Sequence, residues 1–328
     1  MGLRITIVSP ATQRENNGNW QTASRWAHFL GAAHAVTIAH DWCAGDPAPD
    51  LLIALHARRA APALAAFKSV YSDRPAILVL TGTDLYRDIA VDASAQASLE
   101  SASALVLLQP AGLAQLAPRL HAKAHIIFQS APSLPALATE SVITMIGHLR
   151  EEKDPRTFIA AAHLVTAPAL RLLHIGGALD PALGELAAET ARTLPRYQWL
   201  GDQPHDAARE ALRQSCAMVI ASKMEGGANV IIEAVTSGVP VIASDISGNR
   251  GMLGEDYAGY FAVGDAAGLA RKMDRIAQDE AFAALLRRQC AARARLFAPE
   301  AEQAALLQLV DNLCHRPQAK PTTEQESP

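Results

Sequence analysis

Short apolar runs alternate with longer amphipathic stretches along most of the chain. The apolar runs are rich in β-branched residues and predict strands, and the stretches between them carry apolar residues at helical spacing. Continuous apolar strands separated by helices are typical of parallel sheets that are covered on both faces. The predicted strands lie near residues 4–8, 35–39, 51–55, 76–80, 104–108, 125–129, 142–146, 170–175, 197–200, 217–221, 239–243 and 259–263.

The alternation is interrupted once, at residues 130–141, where the sequence is SAPSLPALATES. Its two prolines disfavour a helix, and the strand–helix pattern begins again after it. A chain of 328 residues is long enough for two domains with separate cores. We predict an α/β protein with two Rossmann-like, doubly wound domains, 1–135 and 136–314, and a disordered polar tail, 315–328. Length alone would also permit one large sheet.

Composition and charge restrict the class of function. The formal net charge of -4 does not favour nucleic-acid binding, so an anionic ligand must bind at a local cluster of basic residues. No apolar stretch has the length of a membrane span, and no basic segment followed by an apolar run opens the chain. The four cysteines form no CxxC pair, which favours reduced thiols. We therefore expect a cytoplasmic protein that binds neither nucleic acid nor a membrane.

Two glutamates, Glu225 and Glu233, stand eight positions apart in the stretch SKMEGGANVIIEAVTSGVPVIAS. A predicted strand, AMVIAS, ends before them and a predicted helix follows, so KMEGGA forms a strand-to-helix turn. Ligands of such sheets bind beyond the carboxyl ends of the strands, and free N–H groups at a helix N-terminus suit a phosphate. Gly226 and Gly227 suit a place where the backbone approaches another group. The alternative is a plain strand–turn–helix with two surface acids.

This stretch and its continuation, EAVTSGVPVIASDISGN, resemble the E-x7-E motif of the family 4 retaining glycosyltransferases. The resemblance implies the GT-B architecture, in which two Rossmann-like domains face a central cleft, and a nucleotide-sugar donor. It also implies that Glu225 contacts the donor sugar as a catalytic residue and that Glu233 holds the ribose hydroxyls. The further donor-binding residues implied for this turn are Gly226, Gly227, Ala228 and Asn229.

A second group of polar residues, ITMIGHLREEKDP, follows the first strand of the second predicted domain. The family has an arginine and a lysine here, close to the donor diphosphate. Lys153 matches the lysine, whereas His148 stands at the arginine position and Arg150 follows two residues later. Because a departing diphosphate needs cations where its charge grows, we predict Lys153 and Arg150 as catalytic residues and His148 as a donor-binding residue. The alternative for His148 is a strand-end residue packed against the turn. The loops HIGGALD and WLGDQPHDAARE occupy places that bind the base in similar proteins.

Three loops of the first predicted domain carry polar residues beyond strand ends: SPATQRENNGNW, LHARRAA and LTGTDLYRDI. Guanidinium groups bind phosphate-like oxyanions well, so the arginines of these loops favour a small, strongly anionic acceptor. The alternative is that they pair with nearby acids such as Asp84 and Asp88. We assign Gly18 to the donor. The arginines are Arg14, Arg58, Arg59 and Arg87, and the predicted acceptor-binding residues are Asn19, Arg58, Arg59, Thr81, Gly82, Thr83, Asp84 and Arg87.

The combination of ALHARR and LTGTDLYRDI in a short family 4 chain resembles the selenosugar synthases. The resemblance implies transfer of GlcNAc or Glc from a UDP-sugar to selenophosphate, giving a 1-selenosugar for selenoneine biosynthesis, with other enzymes of that pathway as partners. No Asp-x-Asp motif lies in a suitable loop, so we predict metal-independent activity without a cofactor. The alternatives are a family 4 enzyme with another small acceptor, a UDP-sugar 2-epimerase and a non-catalytic binding module. The lack of a G-x-G-x-x-G motif disfavours a dinucleotide oxidoreductase.

Overall fold

A computed structural model of the chain describes residues 2–12, 18–137 and 141–314. These residues form two six-stranded sheets in which every strand pair is parallel, with helices around them. All twelve predicted strands are present, and the α/β architecture is confirmed. Arg14 and the tail 315–328 lie outside the described residues. No helix of the described part combines the length and apolar character that crossing a membrane requires.

The first sheet has the strand order β2-β1-β3-β4-β5-β6. Its strands are β1 (Arg4–Val8), β2 (Ala35–Ala39), β3 (Leu51–Leu55), β4 (Ala76–Leu80), β5 (Ala104–Leu107) and β6 (Ala124–Ile126). Its helices are α1 (Gly18–Gly31), α2 (Ala61–Val70), α3 (Ile89–Val91) and α4 (Ala93–Ser101), with a π-helical turn at Asp84–Asp88. The order reverses between β1 and β3, and doubly wound sheets bind their ligands at such a reversal.

The second sheet has the strand order β12-β11-β10-β7-β8-β9 and reverses between β7 and β10. Its strands are β7 (Val142–Ile146), β8 (Arg171–Ile175), β9 (Tyr197–Trp199), β10 (Ala217–Ile220), β11 (Val241–Ser244) and β12 (Tyr260–Phe261). The remaining helices are α5 (Pro155–Leu164), α6 (Pro181–Thr193), α7 (His205–Arg213), α8 (Asn229–Thr236), α9 (Ser247–Leu253), α10 (Ala266–Gln278), α11 (Glu280–Arg293) and α12 (Pro299–Cys314). This is the strand order of dinucleotide-binding Rossmann sheets.

Both faces of the first sheet are buried. Successive residues of a strand point to opposite faces, and β3 shows the consequence: Leu52 packs in one apolar cluster with residues of α2, whereas Leu51 and Ile53 pack in another with residues of α1. Every residue of β3 and β4 is buried. This burial on both sides explains why these strands lack alternating polar positions.

Helix α12 crosses back from the second half of the chain to the first sheet, where its buried leucines share an apolar cluster with α1. The buried carboxylate of Glu302 on α12 accepts hydrogen bonds from Arg25 Nε (2.6 Å), Trp26 Nε1 (2.7 Å) and Ser130 Oγ (2.5 Å). The domain division at 135/136 stays a prediction. It assigns α12 to the second domain, although the helix packs on the first sheet.

Candidate donor and acceptor site

The loops after β7 and β10 meet beside the point where the second sheet reverses its strand order. Lys153 ends a short 3-10 turn after β7, and Glu225 lies in the turn after β10. Lys153 Nζ donates a hydrogen bond to Glu225 Oε1 over 2.6 Å, and Ser222 Oγ donates to the same oxygen over 2.6 Å. The Lys153 side chain is 19% exposed and that of Glu225 10%. The structure thus brings two predicted catalytic residues together in a partly desolvated ion pair.

Helix α8 begins at Asn229, directly after the glycine turn. Its first N–H groups have no intrahelical acceptor, and the positive end of its dipole faces the same turn, an arrangement that suits an anion. Glu233 lies one turn into the helix, with its side chain 13% exposed. The predicted donor-binding residues of this region therefore lie together around the N-terminal half of α8.

His205, the first residue of α7, lies in the predicted base-binding loop WLGDQPHDAARE, but it was not itself predicted as a site residue. Its Nε2 lies 2.7 Å from Glu233 Oε1. The hydrogen bond to Glu233 raises the pKa of His205, against the opposing effect of burial. No motif links two residues that stand 28 positions apart. Ser222, three positions before Glu225, was also missed, although that short spacing could have indicated it.

The two glycines of the turn are approached by the first domain. A Cβ on Gly226 would lie 2.6 Å from the carbonyl oxygen of Thr81 and 2.7 Å from the Cα of Gly82. A Cβ on Gly227 would lie 2.7 Å from the Cβ of Leu108. Real Cβ atoms essentially never come so close to other heavy atoms, so this contact between loops requires glycine in the turn. The absence of side chains at Gly226 and Gly227 thus allows the first domain to pack against the turn.

The contact continues from the turn to helix α9. Tyr86 Oη accepts hydrogen bonds from Gln109 Nε2 (2.8 Å) and from Ser247 Oγ of α9 (3.1 Å). A Cβ on Gly251 of α9 would overlap the side-chain oxygen of Gln109. Burial raises the pKa of Tyr86. We call these contacts the domain seam, which is formed by Thr81, Gly82, Tyr86, Leu108 and Gln109 against Gly226, Gly227, Ser247 and Gly251.

Asp84 fixes the shape of two first-domain loops. Its carboxylate is fully buried and accepts N–H groups from Thr81 (2.9 Å) and Gly82 (2.8 Å) after β4, and from Ala57 (2.8 Å) after β3. The acceptor-binding role predicted for Asp84 stays a prediction. The observed bonds favour an indirect role, because the carboxylate oxygens are engaged by backbone N–H groups.

Two of the predicted acceptor arginines converge on one buried carboxylate. Arg58 Nε donates to Asp88 over 2.8 Å and Arg87 Nε over 3.1 Å. Burial acts to raise the pKa of Asp88, but the hydrogen bonds from both arginines outweigh it and lower the pKa. Arg87 Nη1 also lies 3.5 Å from Glu152 Oε1 of the second domain. Arg59 is exposed, and its side chain has no partner within the described ranges. Arg58 and Arg87 therefore pair with a local acid, the alternative stated for these arginines.

Irregular backbone is concentrated beside these arginines. His56 has a left-handed backbone with φ 78° and is buried, and burial lowers its pKa. Its Nε2 lies 3.2 Å from Thr83 Oγ1, and its Nδ1 accepts the N–H of Arg59 over 3.3 Å. A π-helical turn, Asp84–Asp88, begins directly after Thr83. Strained and π-helical backbone often occurs at functional sites, which supports the prediction of a site here.

The other predicted residues are His148, Arg150, Gly18 and Asn19. His148 is half-buried beside Gly177, and its Nδ1 has no partner among the residues described. Arg150 is exposed, and within the described part of the chain its side chain makes no hydrogen bond or ion pair. Gly18 is the first residue of α1 and Asn19 follows it; a Cβ on Gly18 would lie 3.6 Å from Asn229 Nδ2 of α8, so the two helix N-termini are close. No group of three or more His, Cys, Asp or Glu side chains among the described residues could hold a metal ion.

Residues 129–297, just over half of the chain, match the family described as glycosyl transferases group 1. A D-inositol 3-phosphate glycosyltransferase of Rhodococcus opacus (strain B4) is 34% identical over 119 residues, which is 33% of this chain and 26% of that protein. The enzyme of the same name from Nocardia farcinica (strain IFM 10152) is 33% identical over the same shares. The matched part thus spans about a quarter of the length of these relatives.

Solved structures resemble the chain over nearly its whole length. Anabaena HepE in complex with UDP and glucose superimposes with a TM-score of 0.75 at 15% identity, covering 95% of this chain and 100% of that one. Sucrose-phosphate synthase from Thermosynechococcus elongatus gives a TM-score of 0.76 at 17% identity, covering 94% and 98%. At these identities the likeness concerns the fold, and the expected GT-B architecture is confirmed.

Proposed function

Because the chain belongs to the glycosyl transferases group 1 family, we propose that it transfers a sugar, with retention, from a UDP-sugar to a small anionic acceptor. The acceptor is selenophosphate and the product is a 1-selenosugar that serves selenoneine assembly. The observation that carries the proposal is the Lys153–Glu225 pair beside the N-terminus of α8, with Glu233 one turn further on.

The donor half of the proposal rests on charge and geometry. A UDP-sugar presents a diphosphate, a ribose and a sugar in sequence. Lys153, exposed Arg150 and the N–H groups of α8 offer cations and dipoles for the diphosphate. Glu233 offers an acceptor for ribose hydroxyls, and Glu225 offers one for the sugar. HepE, whose fold this chain shares, has been crystallised with UDP and with UDP-glucose, which supports the choice of nucleotide.

The acceptor half rests on the arginines of the first domain. Arg58, Arg59 and Arg87 carry three positive charges, and the only carboxylate that Arg58 contacts within the described chain is Asp88. A guanidinium has five N–H donors, so both arginines that bind Asp88 keep N–H groups for a ligand. The buried carboxylate also orients the two guanidinium groups. This arrangement favours a compact oxyanion, and a less charged acceptor is the second candidate because Asp88 offsets part of the positive charge.

The proposed reaction breaks the bond between the anomeric carbon and the phosphate oxygen and forms a carbon–selenium bond on the same face. UDP leaves with the electron pair, and Lys153, Arg150 and the N-terminus of α8 stabilise the charge that develops on it. Water then cleaves the selenium–phosphorus bond and releases phosphate. Selenophosphate is itself a strong nucleophile, so the protein contributes mainly position and charge stabilisation.

Mass spectrometry of the products tests the proposal, with UDP-GlcNAc, UDP-Glc and other UDP-sugars each offered to selenophosphate, thiophosphate and simple alcohols. We expect UDP and a 1-selenosugar. Glu225→Gln should lose turnover while it retains affinity for UDP, and Arg59→Ala should raise the acceptor KM and leave donor affinity unchanged.

Other products would favour a different function. A glycosylated alcohol without a selenosugar would favour the second acceptor candidate. A 2-epimer formed from the UDP-sugar alone would favour the epimerase. No product and no UDP release with any pair would refute glycosyl transfer.

A further inference from the structure

The carboxylate of Glu233 on α8 is held by a side chain of another helix, His205 of α7. Glu233 Oε1 pairs with His205 Nε2 over 2.7 Å, and the other carboxylate oxygen has no partner within the described residues. The Glu233 side chain is 13% exposed and that of His205 41%. One oxygen is therefore occupied by the imidazole while the second remains available to a ligand.

Helix α7 holds His205 in place through the stripe His205, Arg209 and Arg213, whose members are four residues apart and share one face of the helix. Arg209 Nη2 donates to the carbonyl oxygen of Pro132 over 2.5 Å, and Arg213 Nε donates to that of Pro135 over 2.9 Å. Arg209 is itself buried. Because two members of the stripe are tied to the segment between the sheets, the third is presented from a fixed element, as a supporting side chain must be.

We propose that His205 is a positioning residue of the donor site, which orients Glu233 so that its second oxygen accepts a ribose hydroxyl and which makes this contact depend on pH. The proposal rests on the proposed function, because the ribose contact of Glu233 is part of it. It adds a residue that no motif identifies and a pH dependence of nucleotide recognition.

The direction of the pH effect follows from the groups around the imidazole. The charged groups that face it are Glu233 from α8 and, on its own helix, Asp206 at 3.7 Å and Arg209. The hydrogen bond with Glu233 raises the pKa of His205. Below that pKa the ring is a cation and its bond to the carboxylate is charge-assisted; above it the bond weakens. Recognition of the ribose should therefore weaken as pH rises.

The experiment compares UDP with 2′,3′-dideoxy-UDP by calorimetry between pH 6 and pH 9. Both nucleotides carry the same diphosphate, so the effect of phosphate ionisation on Kd cancels in the ratio of the two Kd values. The ratio therefore reports the contact with the ribose hydroxyls. In the wild-type chain we expect the preference for UDP to fall about two- to fivefold across this range, as for a partly exposed ion pair. In His205→Gln, which keeps a hydrogen-bond donor but cannot titrate, the preference should be independent of pH.

The matched control is His163→Gln, which removes an exposed histidine near the C-terminal end of α5, about 12 Å along the helix from Pro155. It should keep the wild-type pH profile. A flat profile in the wild type, or a wild-type profile in His205→Gln, would overturn this inference and leave the proposed function standing. Failure of the wild-type chain to bind UDP at any pH would overturn both.

Discussion

Replacing Gly226 with alanine adds one methyl group where the turn after β10 meets the first domain. The new carbon would lie 2.6 Å from the carbonyl oxygen of Thr81, about 0.8 Å short of the 3.4 Å at which ordinary contact begins. The atoms it meets in Thr81 and Gly82 are backbone, so no flexible side chain can move aside. The loops must separate, which disrupts the domain seam.

The size of the effect follows from the cost of overpacking. Inserting a methyl group into a close-packed contact costs about 1–3 kcal/mol, which corresponds to a reduction of about 5- to 150-fold in the population with an intact seam. Turnover needs the donor and acceptor loops together, so kcat/KM should fall by a similar factor. UDP binding should change by less than about threefold, because alanine keeps the backbone N–H at this position.

The assay measures UDP affinity by calorimetry and kcat/KM by UDP release on the same protein. Gly31→Ala is the control, since a Cβ on Gly31 meets nothing within 4 Å. Full activity of Gly226→Ala would show that the seam is not required for turnover. A parallel loss of UDP affinity would refute the reasoning in another way, because the methyl group would then act on the nucleotide and not on the first domain.

Three further changes test other parts of the structure. Lys153→Met should lower kcat by about 10²-fold, as expected for loss of one charge-stabilising group. Lys223 is exposed, and Lys223→Met should leave the rate of UDP release unchanged; equal losses in the two variants would contradict the catalytic role of Lys153. Burial lowers the pKa of His174 to about 4, so protonation of the unfolded chain below about pH 6.5 should favour unfolding. Between pH 7 and pH 4.5 this should lower the free energy of unfolding by about 2–3 kcal/mol. Urea unfolding should show that His174→Asn loses less stability than the wild-type chain over the same pH range. Glu302→Gln should lower the free energy of unfolding by about 3 kcal/mol or more, because Arg25 loses the buried partner of its charge; a double variant with Arg25→Ala should lose less than the sum of the single changes.

The strands and the donor turn were predictable because their causes are local. A strand buried on both faces must be apolar throughout, so β3 and β10 can be predicted from the sequence. The E-x7-E spacing places one glutamate in a turn and the other one helical turn later, a relation that lies within a single strand–turn–helix unit. The sequence therefore determined the α/β class, the twelve strands and the neighbourhood of Glu225 and Glu233.

Only the tertiary structure decided which distant groups meet. The sequence showed that Gly226 admits a close approach, but the approaching backbone of Thr81 belongs to the other domain. It showed several arginines near the predicted acceptor, but the convergence of Arg58 and Arg87 on one carboxylate depends on how the loops after β3 and β4 pack. It placed His205 in a loop near the nucleotide base but gave no indication of its contact with Glu233, because contacts between separate elements follow from strand order and helix packing, which local patterns do not encode.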